Sequence, residues 1–513
     1  LRKLLKMIKF HRSLLAIPLV LMAGSALAGP ITPAETKATT ATLGELVEFL
    51  RLPNVTPKSS ADIRANAAWL EAKLKAHGWK ARQLPDGETP MVWGEWAGAG
   101  AKAPTVLFYA HMDGQPVNPK EWKQADPFTP VLRACANMDT CATLPLDQLS
   151  AQAGPQSDAR LFARSAADDK APIMMLIAAV DAMKASGRKP AVNIRFIADS
   201  HEEGGPPTLA KVVADNRADL TGDVVVMLDG PMHASNKPTV IFGHRGGGGL
   251  TIKVYGPSEA MHSGHYGNVV PNPAQNLTRL IASFKDADGK VTLPGYYDGI
   301  DPAFKAAVKA YPVEDDEAGL LKRAGVAKAE GFVANYREAM AVPTLNLVGL
   351  FAGSGGVLDR SIIPADASAA LDLRTVPGVS FDHEFALIRA QAEAMGFHLI
   401  DGAPTPEDRA RYPLLATIKG GSFSKALFTD PAQPMGRWLI GGLKDSFGGD
   451  PVVIPLMGGG VPTEPLVREL KAPVVILPLV NLDDNQHAAN ENLRLGNYAQ
   501  GVHSLVSLIS RKP

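Results

Sequence analysis

The chain is poor in cysteine, in net charge and in long apolar runs, and each shortage excludes a class of protein. Only two of its 513 residues are cysteine, so neither a disulfide scaffold nor a cluster of thiolate-bound metal can organise it. A chain of this length buries enough core to fold without such staples. Basic and acidic residues balance at 52 each, which leaves no global electrostatic case for nucleic acid as a partner. Beyond residue 28 no stretch approaches the apolar run of about 20 residues that a spanning helix needs. No stable membrane anchor is therefore expected. Hydrophobic residues make up 46% and charged residues 20%, which excludes disorder across most of the chain.

The N-terminus carries a different pattern. Arg2, Lys3, Lys6, Lys9 and Arg12 come without an acid, Leu14–Ala23 is apolar, and Ala26-Leu27-Ala28 is a small-x-small site before Gly29. This is the layout of a secretory signal peptide over 1–28. Its removal takes away five basic residues and leaves a net-acidic chain, expected to be periplasmic or secreted. In that oxidising setting Cys135 and Cys141, which lie in a polar, loop-like segment, are expected to pair locally.

The body alternates strands and helices. Ile63, Ala67, Leu70 and Leu74 share one face of a helix over 60–78. Buried-type strands are expected at Thr105–Tyr109, Asn193–Ala198, Asp223–Leu228 and Val474–Leu479, with helices over 171–186 and from about 491. Residues 131–160 read as an irregular insertion. The rhythm indicates an α/β fold with a mixed, largely parallel sheet. Between Arg245 and Pro406 the order becomes βαββαβ, a ferredoxin-like α+β unit, with extra material over 290–343. The expected division is catalytic residues 29–245 and 407–513, interrupted by an inserted lid domain, 246–406.

Acids and histidines follow the strands. His111 and Asp113 follow the first, Glu202 and Glu203 the next, then Asp229, and His487 follows the last; Asp168 precedes a helix. In open α/β sheets the loops at the carboxyl ends of the strands converge on one crevice. Nitrogen and oxygen ligands without a thiolate suit a hydrolytic Zn²⁺ site, and a shared carboxylate suits two metals about 3.5–4 Å apart.

Five segments then carry a family resemblance. They are Phe108–Val117 with Asp126-Pro127-Phe128, Ala163–Lys170, Glu202-Glu203-Gly204, Met261–Gly267 and His487–Glu491. Together they resemble the di-zinc metallopeptidase and aminoacylase family, which includes carnosine dipeptidases, glutamate carboxypeptidase and succinyl-diaminopimelate desuccinylase. The Gln115-Pro116 and Asp126-Pro127-Phe128 elements look most like its dipeptidase branch. The resemblance implies one zinc held by His111 and Asp229, a second by Glu203 and His487, and Asp168 bridging them. It implies Asp113 as the group orienting His111, a cis peptide after Asp168, and Glu202 as general base toward a metal-activated water. It implies that His262 stabilises the oxyanion, often in the partner subunit of a homodimer formed through the lid, and that Arg374 pairs with a substrate carboxylate. The same ligands accept Mn²⁺ or Co²⁺.

Two loops depart from the family pattern. Met457-Gly458-Gly459-Gly460-Val461-Pro462 has Gly460 where the dipeptidase branch has a serine. Gly204-Gly205-Pro206-Pro207 replaces the usual Gly-Ser. Both are expected to border the substrate pocket and put a standard carboxylate clamp in doubt. The resulting expectation is an exported exopeptidase acting on dipeptides or short peptides. An N-acyl-amino-acid deacylase, or a binding protein that kept only the fold, are the alternatives.

Overall fold

A computed structural model describes residues 29–513 apart from 57–58, 205–207 and 354–359. The leader over 1–28 and the Gly205-Pro206-Pro207 departure lie outside the described residues. No helix among them is long and apolar enough to cross a membrane.

The first sheet has eight strands, in the order Lys80–Leu84, Met91–Trp96, Asn193–Asp199, Thr105–His111, Val224–Met227, Val474–Ile476, Thr239–Ile241, Val452–Ile454. The four strands 193–199, 105–111, 224–227 and 474–476 pair in parallel. The hairpin 80–96 adds an antiparallel edge. Runs such as Val224-Val225-Val226-Met227 are buried on both faces, as central parallel strands require. Helices Lys170–Ala185, Pro33–Leu50 and Leu495–Ser510 pack together on one face. Leu209–Asp215 and Thr463–Leu470 cover the other. The fold class is the expected mixed α/β.

Helix Pro33–Leu50 lies outside the expected elements. Its Thr39-Thr40-Ala41-Thr42 centre is weak helix sequence, and packing overrides that. A start signal is nevertheless present: Thr32 and Glu35 form a capping box, Glu35 N donating to Thr32 Oγ1 at 3.3 Å. The segment 131–160 is also more regular than expected. Val131–Arg133, Thr143–Leu144 and Arg160–Phe162 join Asn492–Arg494 in a four-stranded antiparallel sheet. Cys135 and Cys141 form a disulfide across one of its turns, with Cα atoms 5.7 Å apart.

The second sheet takes the order Thr344–Ala352, Asp366–Thr375, Gly246–Tyr255, Leu415–Ser424, His398–Leu399. Helices Pro273–Ala282 and Phe381–Ala394 pack on it through Leu277, Leu280, Phe381 and Ile388. The βαββαβ elements are all present, but Leu415–Ser424 is inserted beside the first strand. The sheet therefore runs past Pro406, which corrects the exit expected there. The Gly420-Gly421 pair and an exposed outer half make that strand weak by propensity; pairing with Gly246–Tyr255 determines it. The chain then returns through Leu427–Phe428, antiparallel to Gly243–His244. These two short strands form the neck between the sheets. They lie so close that a Cβ on Gly243 would collide with the Leu427 carbonyl.

Candidate metal centre

Because the central strands are parallel, their carboxyl ends share one edge, and the loops leaving them converge. Thr105–His111 ends on His111, Asn193–Asp199 leads to Glu202 and Glu203, and Val224–Met227 leads to Asp229. Asp168 comes from the turn before helix Lys170–Ala185, and His487 from the loop after the Val474–Ile476 strand. His111 is buried, its Nε2 2.8 Å from Asp168 Oδ1. The other Asp168 oxygen, Oδ2, lies 3.1 Å from His487 Nε2. That same nitrogen lies 3.3 Å from Glu203 Oε2. One ligand atom from each of His111, Asp168 and Glu203 falls within 4.8 Å of the others. Asp168 thus stands between the two histidines, with one oxygen facing each.

Buried carboxylates hold these loops in place. Asp113 accepts from the backbone N–H of Glu202 at 3.1 Å and of Glu203 at 3.0 Å. His111 Nδ1 lies 3.2 Å from the Asp113 carbonyl oxygen and 3.5 Å from its Oδ1. Asp113 therefore sits where it can orient the His111 ring, and it also fixes the turn that carries Glu202 and Glu203. Gln115 donates to Glu203 Oε2 at 2.6 Å. Asn54 donates to the Met112 carbonyl at 2.8 Å and to Ser165 Oγ at 2.9 Å. The Asp168–Asp169 peptide is cis.

The electrostatics fit a cation. Burial, reinforced by Asp229, Glu203 and Asp168, pushes the Glu202 carboxyl up to about 8 against the pull of His111. Burial and Asp168 push Glu203 up to about 7. Burial pushes Asp229 up to about 6, His111 opposing and Asp168 adding. Asp168 moves the other way: burial would raise it, but His111 and His487 hold it well below the usual carboxylate range. Carboxylates that repel one another around a buried aspartate, with His111 against one of its oxygens and His487 against the other, form a donor set for a divalent cation of Zn²⁺ type. The residues present fit such a group.

The profile of peptidase family M20/M25/M40 matches residues 107–511. The chain belongs to this family. Peptidases of the M20 family are metal-dependent, and this chain is a metallopeptidase. It is similar to a Beta-Ala-His dipeptidase of Rattus norvegicus, 24% identical over 84% of this chain and 82% of that one. It is similar to a Cys-Gly metallodipeptidase of Schizosaccharomyces pombe, 26% identical over 80% of each. Its fold matches an M20 family metallo-carboxypeptidase from Sulfolobus solfataricus with a TM-score of 0.66 and 25% identity, covering 91% of this chain and 98% of that one. These relatives bear out the resemblance to the carnosine dipeptidase branch.

In this M20 peptidase the remaining expected site residues make no hydrogen bond to the cluster among the described residues. His262 sits on the two-residue strand Met261–His262, paired with Ile362–Ile363 and exposed. Its Nδ1 accepts from Gly264 N at 3.1 Å, and among the described residues none of its hydrogen bonds reaches the cluster. Arg374 is half-exposed on the second sheet, its Nε donating to Asp372 Oδ2 at 2.9 Å. Gly460 lies at the neck, where a Cβ would stand 3.6 Å from His244 Nδ1. Its loop is tied there by Arg245 N donating to the Met457 carbonyl at 3.1 Å and Met457 N to that of Gly243 at 2.9 Å. Gln115 and Glu491 belong to the motifs that carry the resemblance, yet their spacing alone assigned them no contact.

Proposed function

We propose that this M20 peptidase is an exported di-zinc dipeptidase with Glu202 as its general base. The observation that carries this is the two-sided placement of Asp168, one oxygen toward His111 and the other toward His487 and Glu203. It supports the pairing in which His111 and Asp229 would hold one cation, His487 and Glu203 the other, and Asp168 both. The names of the relatives support a dipeptide substrate. The leader-like sequence over 1–28 and the Cys135–Cys141 disulfide support export.

Divalent cations held by His111, Asp168, Glu203, Asp229 and His487 would polarise the scissile carbonyl and lower the pKa of a water. The chain supplies the rest. Asp113 holds Glu202 and Glu203 on one turn, so the base stands next to a ligand. Glu202 takes the proton of the attacking water and hands it to the leaving amine nitrogen. Arg374 provides a guanidinium for the substrate carboxylate.

The test is a hydrolysis panel of dipeptides and N-acyl amino acids with added Zn²⁺, Mn²⁺ or Co²⁺. Dipeptides are expected to be turned over at least about tenfold faster in kcat/KM, a difference of about 1.4 kcal/mol at the transition state. Faster cleavage of N-acyl amino acids would establish the deacylase reading instead.

A homodimer through the second sheet belongs to the same proposal. Strand Thr344–Ala352 is an edge strand exposing Leu347, Val348, Leu350 and Phe351, a row that invites another copy. His262, exposed and making no hydrogen bond to its own cluster among the described residues, is then free to serve the partner's site as an oxyanion donor. Mixing His262→Ala with Glu202→Gln is expected to restore about a quarter of wild-type activity, because half the dimers are mixed and each has one intact site. No recovery despite demonstrated subunit exchange would place both groups in one chain.

A further inference from the structure

Glu491 is fully buried and takes no part in the chemistry above. Its carboxylate nevertheless accepts four hydrogen bonds from one turn. Oε1 accepts from Ala167 N and Asp168 N, each at 3.0 Å. Oε2 accepts from Ser165 N at 2.9 Å and Arg164 Nη1 at 2.7 Å. Four residues before Glu491 is His487, and four donors lie over the turn that ends on Asp168. One side chain therefore joins the two loops whose ligands face each other across 3.1 Å.

The loops need such a fastening. Asn485, His487 and Asn490 all have positive φ, of 58°, 62° and 63°, a region that side-chain-bearing residues seldom adopt. Ser165 likewise has φ of 61°. Local propensity holds neither segment in shape, so a long-range contact has to. Arg164 supplies a counter-charge to the buried carboxylate, while three of its four hydrogen bonds come from backbone N–H groups.

We infer that Glu491 is a positioning residue for the metal centre: its carboxylate locks the Asp168 turn to the His487 loop and so sets the spacing of two ligands 319 positions apart in the chain. This rests on the metal-centre reading of the preceding subsection. A carboxylate is required because all four partners are donors. An amide presents an acceptor on one side only, and its NH₂ would face two donors on the other.

The experiment measures zinc affinity of the full-length chain by competition with a chromophoric chelator, alongside Tm, KM and kcat. Glu491→Gln is expected to weaken zinc by about 10–100-fold, the usual loss on removing a group that orients ligands, with KM at saturating zinc unchanged. Arg164→Met keeps the three backbone bonds to Glu491 while breaking the ion pair. It is expected to lower Tm but to leave zinc affinity near wild type. The double variant E491Q/R164M, which leaves no buried arginine unpaired, is expected to bind zinc as weakly as E491Q and answers the question if E491Q alone does not fold. Equal zinc affinity in wild type and the Gln variants overturns the inference. So does a loss in R164M as large as in E491Q, since the effect would then follow stability. A wild-type chain that binds no divalent cation overturns the metal-centre reading itself, and this inference with it.

Discussion

Replacing Glu202 by Gln is expected to lower kcat by about 10²–10⁴-fold, the range for loss of a general base, and to leave metal content unchanged. The amide keeps the size and the backbone N–H that Asp113 holds, but it cannot accept the water proton. The position supports this role. Glu202 lies among Asp229, Glu203, Asp168 and His111, and burial among them pushes its carboxyl up to about 8. A nearby cation would lower that value by favouring the carboxylate form. Turnover and zinc content measured on the same preparation check it. Retained kcat would remove Glu202 as the base. Lost zinc would make it a ligand instead.

Removing the metal is expected to make stability depend strongly on pH, and in an unusual direction. In the cation-free chain Glu202, Glu203 and Asp229 titrate near 8, 7 and 6, above their ordinary values. Between the ordinary and the raised value each binds a proton when folded and has lost it when unfolded. Stability therefore falls as pH rises from about 4.5 to 8. His487, raised to about 9 chiefly by Asp168, acts the same way. Its contribution is complete below about 6.5, the free-imidazole value, and is lost as pH passes 9. Asp168, depressed, opposes these groups only at acid pH. Chelator-treated protein should thus melt at a lower temperature at pH 8.5 than at pH 6. Zinc should abolish or invert that slope, because it replaces the protons. At a thousandfold excess over Kd the cation adds about 4 kcal/mol. Melting curves across pH, with chelator and with zinc, decide it. Superimposable curves would mean that these carboxylates hold no cation.

Much of the centre was legible because its chemistry is carried by residue type. His111, Glu203 and Asp229 each follow a strand rich in apolar residues, and parallel strands bring such ends to one edge. The first sheet was legible for the same reason. Strand Leu415–Ser424 was not, because its glycines and exposed outer half carry no strand period of their own. Helix Pro33–Leu50 was not, because burial against Lys170–Ala185 and Leu495–Ser510 overrides a threonine-rich centre.

By itself the sequence determined the fold class, the types of the candidate ligands and the motifs that resemble the M20 peptidases. These depend on local hydrophobic periodicity and on side-chain chemistry, both present in the chain before it folds. Only the tertiary structure decided that Asp168 turns one oxygen to each histidine, that Asp113 grips the turn of Glu202 and Glu203, and that Glu491 ties the Asp168 turn to the His487 loop. It also decided that Cys135 and Cys141, the scarce residues, close a turn in a small separate sheet. Such contacts join residues up to hundreds of positions apart, and spacing along a chain carries no distance through space.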